Sequence, residues 1–151
     1  MGRPFVHQLR VRYAECDPQN VVFNAHYLAY FDAALTEMWR AAFSGGYRGM
    51  VEQGLDMVVA EATCRYRTPA TFDDLLDVAI GITSLGTTSM HSVLAVTRGD
   101  EPVVDGEMRH VFIDLNRRQK APIPDWLRAA LEPWVLPSGA SPRPPASSRR
   151  A

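Results

Sequence analysis

Asn24-Ala25-His26-Tyr27-Leu28-Ala29-Tyr30-Phe31-Asp32-Ala33-Ala34-Leu35-Thr36-Glu37-Met38-Trp39-Arg40-Ala41-Ala42 is the stretch on which the fold turns. Tyr27, Tyr30, Phe31, Ala34, Leu35, Met38, Trp39 and Ala42 recur at steps of three and four, the spacing of one helical face. Ala25, Leu28, Ala29, Ala33 and Ala41 make much of the opposite face apolar too, so the helix asks for cover on several sides. The reading predicts a helix over 25–42, about 27 Å long at 1.5 Å per residue. Asn24 is a good N-cap for it, and Ser44-Gly45-Gly46 ends it.

Outward from this helix the pattern changes. Before it, Leu9, Val11 and Tyr13 alternate with polar neighbours, the period of a half-buried strand. After it, a short helical piece over 47–53 closes at Gly54. Strands are predicted over 57–67, 75–85, 89–98 and 103–114. Turn signals divide them at Thr68-Pro69, Gly86-Thr87 and Arg98-Gly99-Asp100. A short helix is expected over 124–132. One strand, one long helix and four consecutive strands give an α+β order: an antiparallel sheet wrapped around the helix. The chain holds no internal repeat.

The 151 residues suit one domain, expected over 1–136. Apolar residues at 46% and charged residues at 22% exclude wholesale disorder. Sixteen Lys and Arg against seventeen Asp and Glu leave a net charge of −1. That balance argues against a nucleic-acid or membrane-surface partner, which selects a basic face. Residues 137–151 hold four Pro, four Ser and three Arg, and are expected to form a disordered tail. No signal peptide or membrane-length apolar run is present, and two distant cysteines suit a reducing compartment, so a cytoplasmic location is expected. The four histidines show no metal-ligand spacing and the cysteines no CxxC, so no metal is expected. Gly45-Gly46-Tyr47-Arg48-Gly49 follows a helix and reads as its cap and turn, not as a phosphate loop.

The passage from Glu15 to Tyr27 carries the chemistry. Asp17 sits on a turn-rich loop just before the helix, where free N–H groups hold roughly half a positive charge. A carboxylate there can attack an acyl carbon or activate water against it, while the amides near Asn24 and Ala25 polarise the carbonyl. Acyl transfer is the reaction this permits. Two neighbours compete for the role. Cys16 with His26 as its base is a cysteine-hydrolase alternative, against which Cys16 packs as a small apolar residue and His26 solvates the helix start. Glu15 shares a direction with Asp17 in an extended segment and is expected to be solvated.

Residues 11–28, Val-Arg-Tyr-Ala-Glu-Cys-Asp-Pro-Gln-Asn-Val-Val-Phe-Asn-Ala-His-Tyr-Leu, resemble the signature of the 4-hydroxybenzoyl-CoA thioesterase-like branch of the hotdog-fold acyl-CoA thioesterases. The likeness continues through Tyr66-Arg67-Thr68-Pro69-Ala70, Asp73-Asp74-Leu75-Leu76, Leu85-Gly86-Thr87-Thr88-Ser89 and Pro122-Ile123-Pro124. The resemblance implies a five-stranded antiparallel sheet wrapped around one long central helix. It further implies an acyl-CoA substrate hydrolysed to free acid and CoA without a cofactor. Asp17 matches the family's catalytic acid and Asn24 its carbonyl-polarising amide. Substrate contacts are expected from His26, Tyr27, Thr88, Ser89, Arg117 and Lys120. Members assemble as homodimers, often paired into homotetramers, with active sites at the subunit interface. This chain departs from relatives that carry Gly at the position of Asn20, His at that of Asn24, or basic residues in the loop matching Gly86-Thr87-Thr88. The alternatives are an acyl-CoA-binding hotdog without turnover and a thioesterase acting on acyl carrier protein.

Overall fold

The computed structural model describes residues 2–143. Five long strands are present: β1 (Phe5–Arg10), β2 (Leu55–Tyr66), β3 (Leu75–Leu85), β4 (Ser89–Arg98) and β5 (Glu101–Asp114). They form one curled antiparallel sheet in the order β1-β3-β4-β5-β2. A two-residue strand, β6 (Gln119–Lys120), adds to β5 beyond the five that the periodicity reveals. Three helices complete the chain: α1 (His26–Ala42), α2 (Gly46–Glu52) and α3 (Asp125–Leu131). This is the α+β hotdog architecture. Among the described residues no helix is long and apolar enough to cross a membrane.

The helix α1 buries Tyr27, Tyr30, Phe31, Ala34, Leu35, Met38 and Trp39, the face that the spacing marks out. It approaches the sheet closely at Gly106 of β5, where a Cβ would stand 2.5 Å from Phe31 Cζ. Glycine is therefore required there by space. The opposite side differs from expectation. Ala25, Leu28, Ala29 and Ala41 are exposed, so this chain alone does not cover the second apolar side. Three of these four are alanines, which add helix propensity and little apolar area.

Two local readings are corrected. Tyr13 is not in the first strand; it opens a 3-10 turn over Tyr13–Glu15 and is 81% exposed. The strand ends early because Glu15 Oε1 accepts the Arg12 backbone N–H at 2.7 Å, which turns the chain. Asn24 is not the N-cap of α1 either. Ala25 occupies that position with no capping side chain, so the helix starts one residue late.

At the C-terminus, Val135 bridges to Ile82 and the Leu136 N–H donates to the Ile82 carbonyl at 2.8 Å. Residues 137–140 make a turn, and Arg143 reaches Asp105 on β5. Of the tail expected over 137–151, residues 144–151 lie outside the described residues.

Candidate active site

Cys16 and Val22 pair as an isolated antiparallel bridge and close a short loop that presents Asp17. Within it the Asp17 N–H donates to the Val21 carbonyl at 2.9 Å, and the Asn20 N–H donates back to the Asp17 carbonyl at 2.9 Å. Asn20 takes a φ of +64°, a left-handed geometry that Asn tolerates better than most residues. The Asp17 carboxylate accepts the Gln19 N–H on Oδ1 at 2.8 Å. Its Oδ2 has no hydrogen-bond partner among the described residues.

Asp17, Asn24, Tyr27, Tyr66, Arg67 and Pro69 line one cavity of about 310 Å3. The Asn24 carbonyl is held by the Tyr66 hydroxyl at 3.1 Å. The N–H groups of Asn24 and Ala25 have no acceptor among the described residues. The half-buried Asp17 carboxylate and Asn24, at the helix start, therefore line the same space, and Ala25 follows next in the chain. A thioester carbonyl set between them meets a base or nucleophile on one side and donors for its oxygen on the other. Tyr27 forms the buried wall, its ring edge-on to Tyr30 at 5.6 Å and to Tyr66 at 5.8 Å. Burial pushes its hydroxyl pKa up, so Tyr27 stays a neutral apolar wall with a polar tip.

Glu15 is the residue that the sequence reading misplaces. It is 8% exposed, not solvated. Tyr30 donates to its Oε1 at 3.1 Å, and the Arg12 guanidinium meets Oε2 at 3.3 Å. Glu15 thus fastens the Asp17 loop to α1. A capping-box spacing, Arg12 to Glu15, was the one available signal.

The Cys16–His26 pair is not assembled. Cys16 Sγ donates to the Arg12 carbonyl at 3.9 Å, and the His26 ring stands edge-on to Phe23 at 6.1 Å. His26 lies beside the cavity and not among its lining residues. The structure also does not bring Thr88, Ser89, Arg117 and Lys120 to Asp17 within one chain. The Thr88 carbonyl accepts the Phe112 N–H at 2.8 Å, and Phe112 pairs with Met57 near the start of β2. Tyr66 and Asp17 lie at the other end of that strand, about 30 Å away along it at ~3.3 Å per residue. Arg117 and Lys120 belong to the same far end, in and after the turn that follows Asp114. No group of three or more His, Cys, Asp or Glu residues is placed to hold a metal among the described residues.

The sequence matches the Thioesterase-like superfamily over residues 11–131. The chain belongs to that superfamily. It is similar to an acyl-CoA thioester hydrolase, YbgC, from Escherichia coli, with 31% identity covering 70% of this chain and 79% of that one. A putative esterase from Aquifex aeolicus is 28% identical over 73% of this chain and 85% of its own length. A crystal structure of a hypothetical protein from Aquifex aeolicus superposes with a TM-score of 0.80 at 26% identity, covering 85% of this chain and 99% of that one.

Proposed function

We propose that this thioester hydrolase cleaves an acyl-CoA to the free acid and CoA, as a member of the 4-hydroxybenzoyl-CoA thioesterase-like branch. The observation that supports the reading is the shared cavity: Asp17 and Asn24 line it together, and the Asn24 and Ala25 N–H groups at the helix start have no acceptor among the described residues. In the reaction Asp17 attacks the thioester carbonyl or takes a proton from attacking water. The carbonyl oxygen gains charge and is held by the helix-start N–H groups. The C–S bond breaks and the CoA sulfur takes up a proton and leaves as the thiol; where Asp17 is the attacking group, water then hydrolyses the acyl anhydride on Asp17 to release the acid. No cofactor takes part.

The working unit is a homodimer joined through β2, alone or paired into a homotetramer. Support comes from β2 itself, a 12-residue edge strand whose Val58 and Val59 are 47% and 50% exposed. Such a bare apolar edge is a template for another strand. Antiparallel pairing of two β2 strands brings the far end of one subunit's sheet beside Asp17 of the other. Thr88, Ser89, Arg117 and Lys120 then reach the site from the partner, and His26 and Tyr27 from the same chain. The enzyme works in the cytoplasm.

The test is thiol release from short, long and aromatic acyl-CoAs by the wild type and by Asp17→Asn and Cys16→Ala. Turnover by wild type and Cys16→Ala with loss in a folded Asp17→Asn supports the reading. Loss in Cys16→Ala instead returns the Cys16–His26 alternative. Binding without thiol release makes the protein an acyl-CoA-binding module, and faster release from acyl carrier protein makes that carrier the substrate.

A further inference from the structure

The loop Gly86-Thr87-Thr88 contains no basic residue, and the Arg128 guanidinium beside it donates to the Leu85 and Gly86 carbonyls. Three arginines gather elsewhere, around a cavity next to that of Asp17. Side chains on β5 alternate, so with Gly106 against Phe31 the neighbouring Asp105 points to the outer face of the sheet. Arg65 pairs with Asp105 in register and shares that face. Arg67, two residues on, donates Nε to Asp105 Oδ2 at 3.0 Å. Its two terminal nitrogens have no partner among the described residues. Arg67 also lines the cavity that holds Asp17.

The third guanidinium arrives with the C-terminal segment. Leu136 lies on Gly81, where a Cβ would stand 2.3 Å from Leu136 Cδ1, so the strap is seated on β3 at a position with no side chain. From there it crosses the outer face, and Arg143 donates Nη2 to Asp105 Oδ1 at 3.0 Å. Arg65, Asp105, Glu107 and Arg143 line an open cavity of about 260 Å3. The Arg65 side chain has no hydrogen-bond or ion-pair partner among the described residues. Three guanidinium groups thus face two carboxylates, and only Asp105 is in contact with them. The surplus is positive, half exposed and continuous with the catalytic cavity through Arg67.

We propose that Arg67, in the lining of the Asp17 cavity, and Arg65 and Arg143, in the neighbouring cavity that Asp105 lines, bind the phosphate groups at the nucleotide end of the acyl-CoA. This rests on the thioesterase reading and extends it. Guanidinium forks match phosphate oxygens in pairs, and Asp105 orients two of the three forks in advance. The C-terminal strap is in this view part of the substrate site: it carries Arg143 across the sheet to where the other two stand.

The experiment compares one acyl group carried on CoA and on pantetheine, which lacks the nucleotide and its phosphates. Arg65→Gln, Arg67→Gln and Arg143→Gln each raise KM for the acyl-CoA about 3- to 10-fold at low salt, the range for a partly exposed charged contact. Arg65→Gln and Arg143→Gln, which lie outside the lining of the Asp17 cavity, leave kcat and every constant for acyl-pantetheine unchanged, which also shows that the fold is intact. Arg143→Lys restores part of the loss, and the difference between carriers narrows as salt rises. The proposal is overturned if the two carriers shift together, if neither shifts, or if the carrier effect belongs to Arg117→Gln and Lys120→Gln with Arg143→Gln silent. If the wild type hydrolyses neither thioester, the thioesterase reading fails on its own. Calorimetry with free CoA then decides this one: weaker binding by Arg143→Gln supports it, and equal binding overturns it.

Discussion

Tyr30, on the buried face of α1, donates its hydroxyl to Glu15 Oε1 at 3.1 Å, tying the loop that carries Asp17 to the helix whose start faces it. Burial pushes the Glu15 carboxyl up, but hydrogen bonds from the Arg12 backbone, Tyr30 and the Arg12 side chain outweigh it and hold the group below the usual carboxylate range. Tyr30→Phe removes one of these bonds without changing the packed ring. We expect a loss of about 1.5–3 kcal/mol, the scale of a hydrogen bond to a charged group, read from urea unfolding. Turnover falls with it, because the loop no longer holds Asp17 in one place.

Asp17→Asn keeps an oxygen for the Gln19 N–H and so keeps the loop. The thiol-release rate is expected to fall about 10²-fold or more, with the melting temperature within a few degrees of wild type. An equal loss of rate and of fold would assign Asp17 to structure.

Asn24→Ala separates backbone from side chain. The amide N–H remains, and the Tyr66 hydroxyl still has its carbonyl acceptor. Activity within about 3-fold of wild type is the expected result, because the donor to the oxyanion is main chain. A 10²-fold drop would move the role to the carboxamide.

His110 is 1% exposed, and burial holds its pKa down at about 4 against an ordinary value of 6.5. The folded state keeps it neutral, whereas the unfolded chain protonates below about 6.5. Unfolding therefore takes up a proton between pH 6.5 and 4, and stability declines as pH falls through that window. Its full extent is about 3 kcal/mol at 1.36 kcal/mol per pH unit. His110→Phe should flatten the decline between pH 6.5 and 5, measured by urea unfolding. Glu15 contributes separately and lower, its stabilisation being lost as pH falls below the ordinary carboxylate value. A slope in the variant equal to that of wild type would exclude His110 as its source.

Val58→Lys with Val59→Lys places charges on the exposed edge strand β2, the device by which edge strands resist pairing. The sedimentation mass should drop to that of one chain, and thioesterase activity should drop with it. A fully active single chain would place the whole site within one subunit.

Much of the fold was legible because its signals are local. The three- and four-residue spacing from Tyr27 to Trp39 marked the buried face of α1, and period-2 runs with Gly, Pro and Asp turns marked β2 to β5. The loop of Asp17 was legible as a carboxylate next to a helix start. Glu15 reads as solvated because its partner Tyr30 stands 15 residues on, and no period links a loop to a helix face. Alternation extends the first strand to Tyr13, whereas Glu15 turns the backbone at Arg12.

The sequence by itself determined which segments extend, which coil and which acidic residue stands before the helix, since those depend on neighbours within a few positions. Only the tertiary structure decided that Thr88 and Arg117 lie at the opposite end of the sheet from Asp17. It alone placed His110 in the core, and Arg67 and Arg143 on one carboxylate, each 38 residues from Asp105 in sequence. Those relationships follow from the strand register and from Leu136 seating on Gly81. A register is set by how a whole sheet packs against its helix, and no single stretch of residues encodes it.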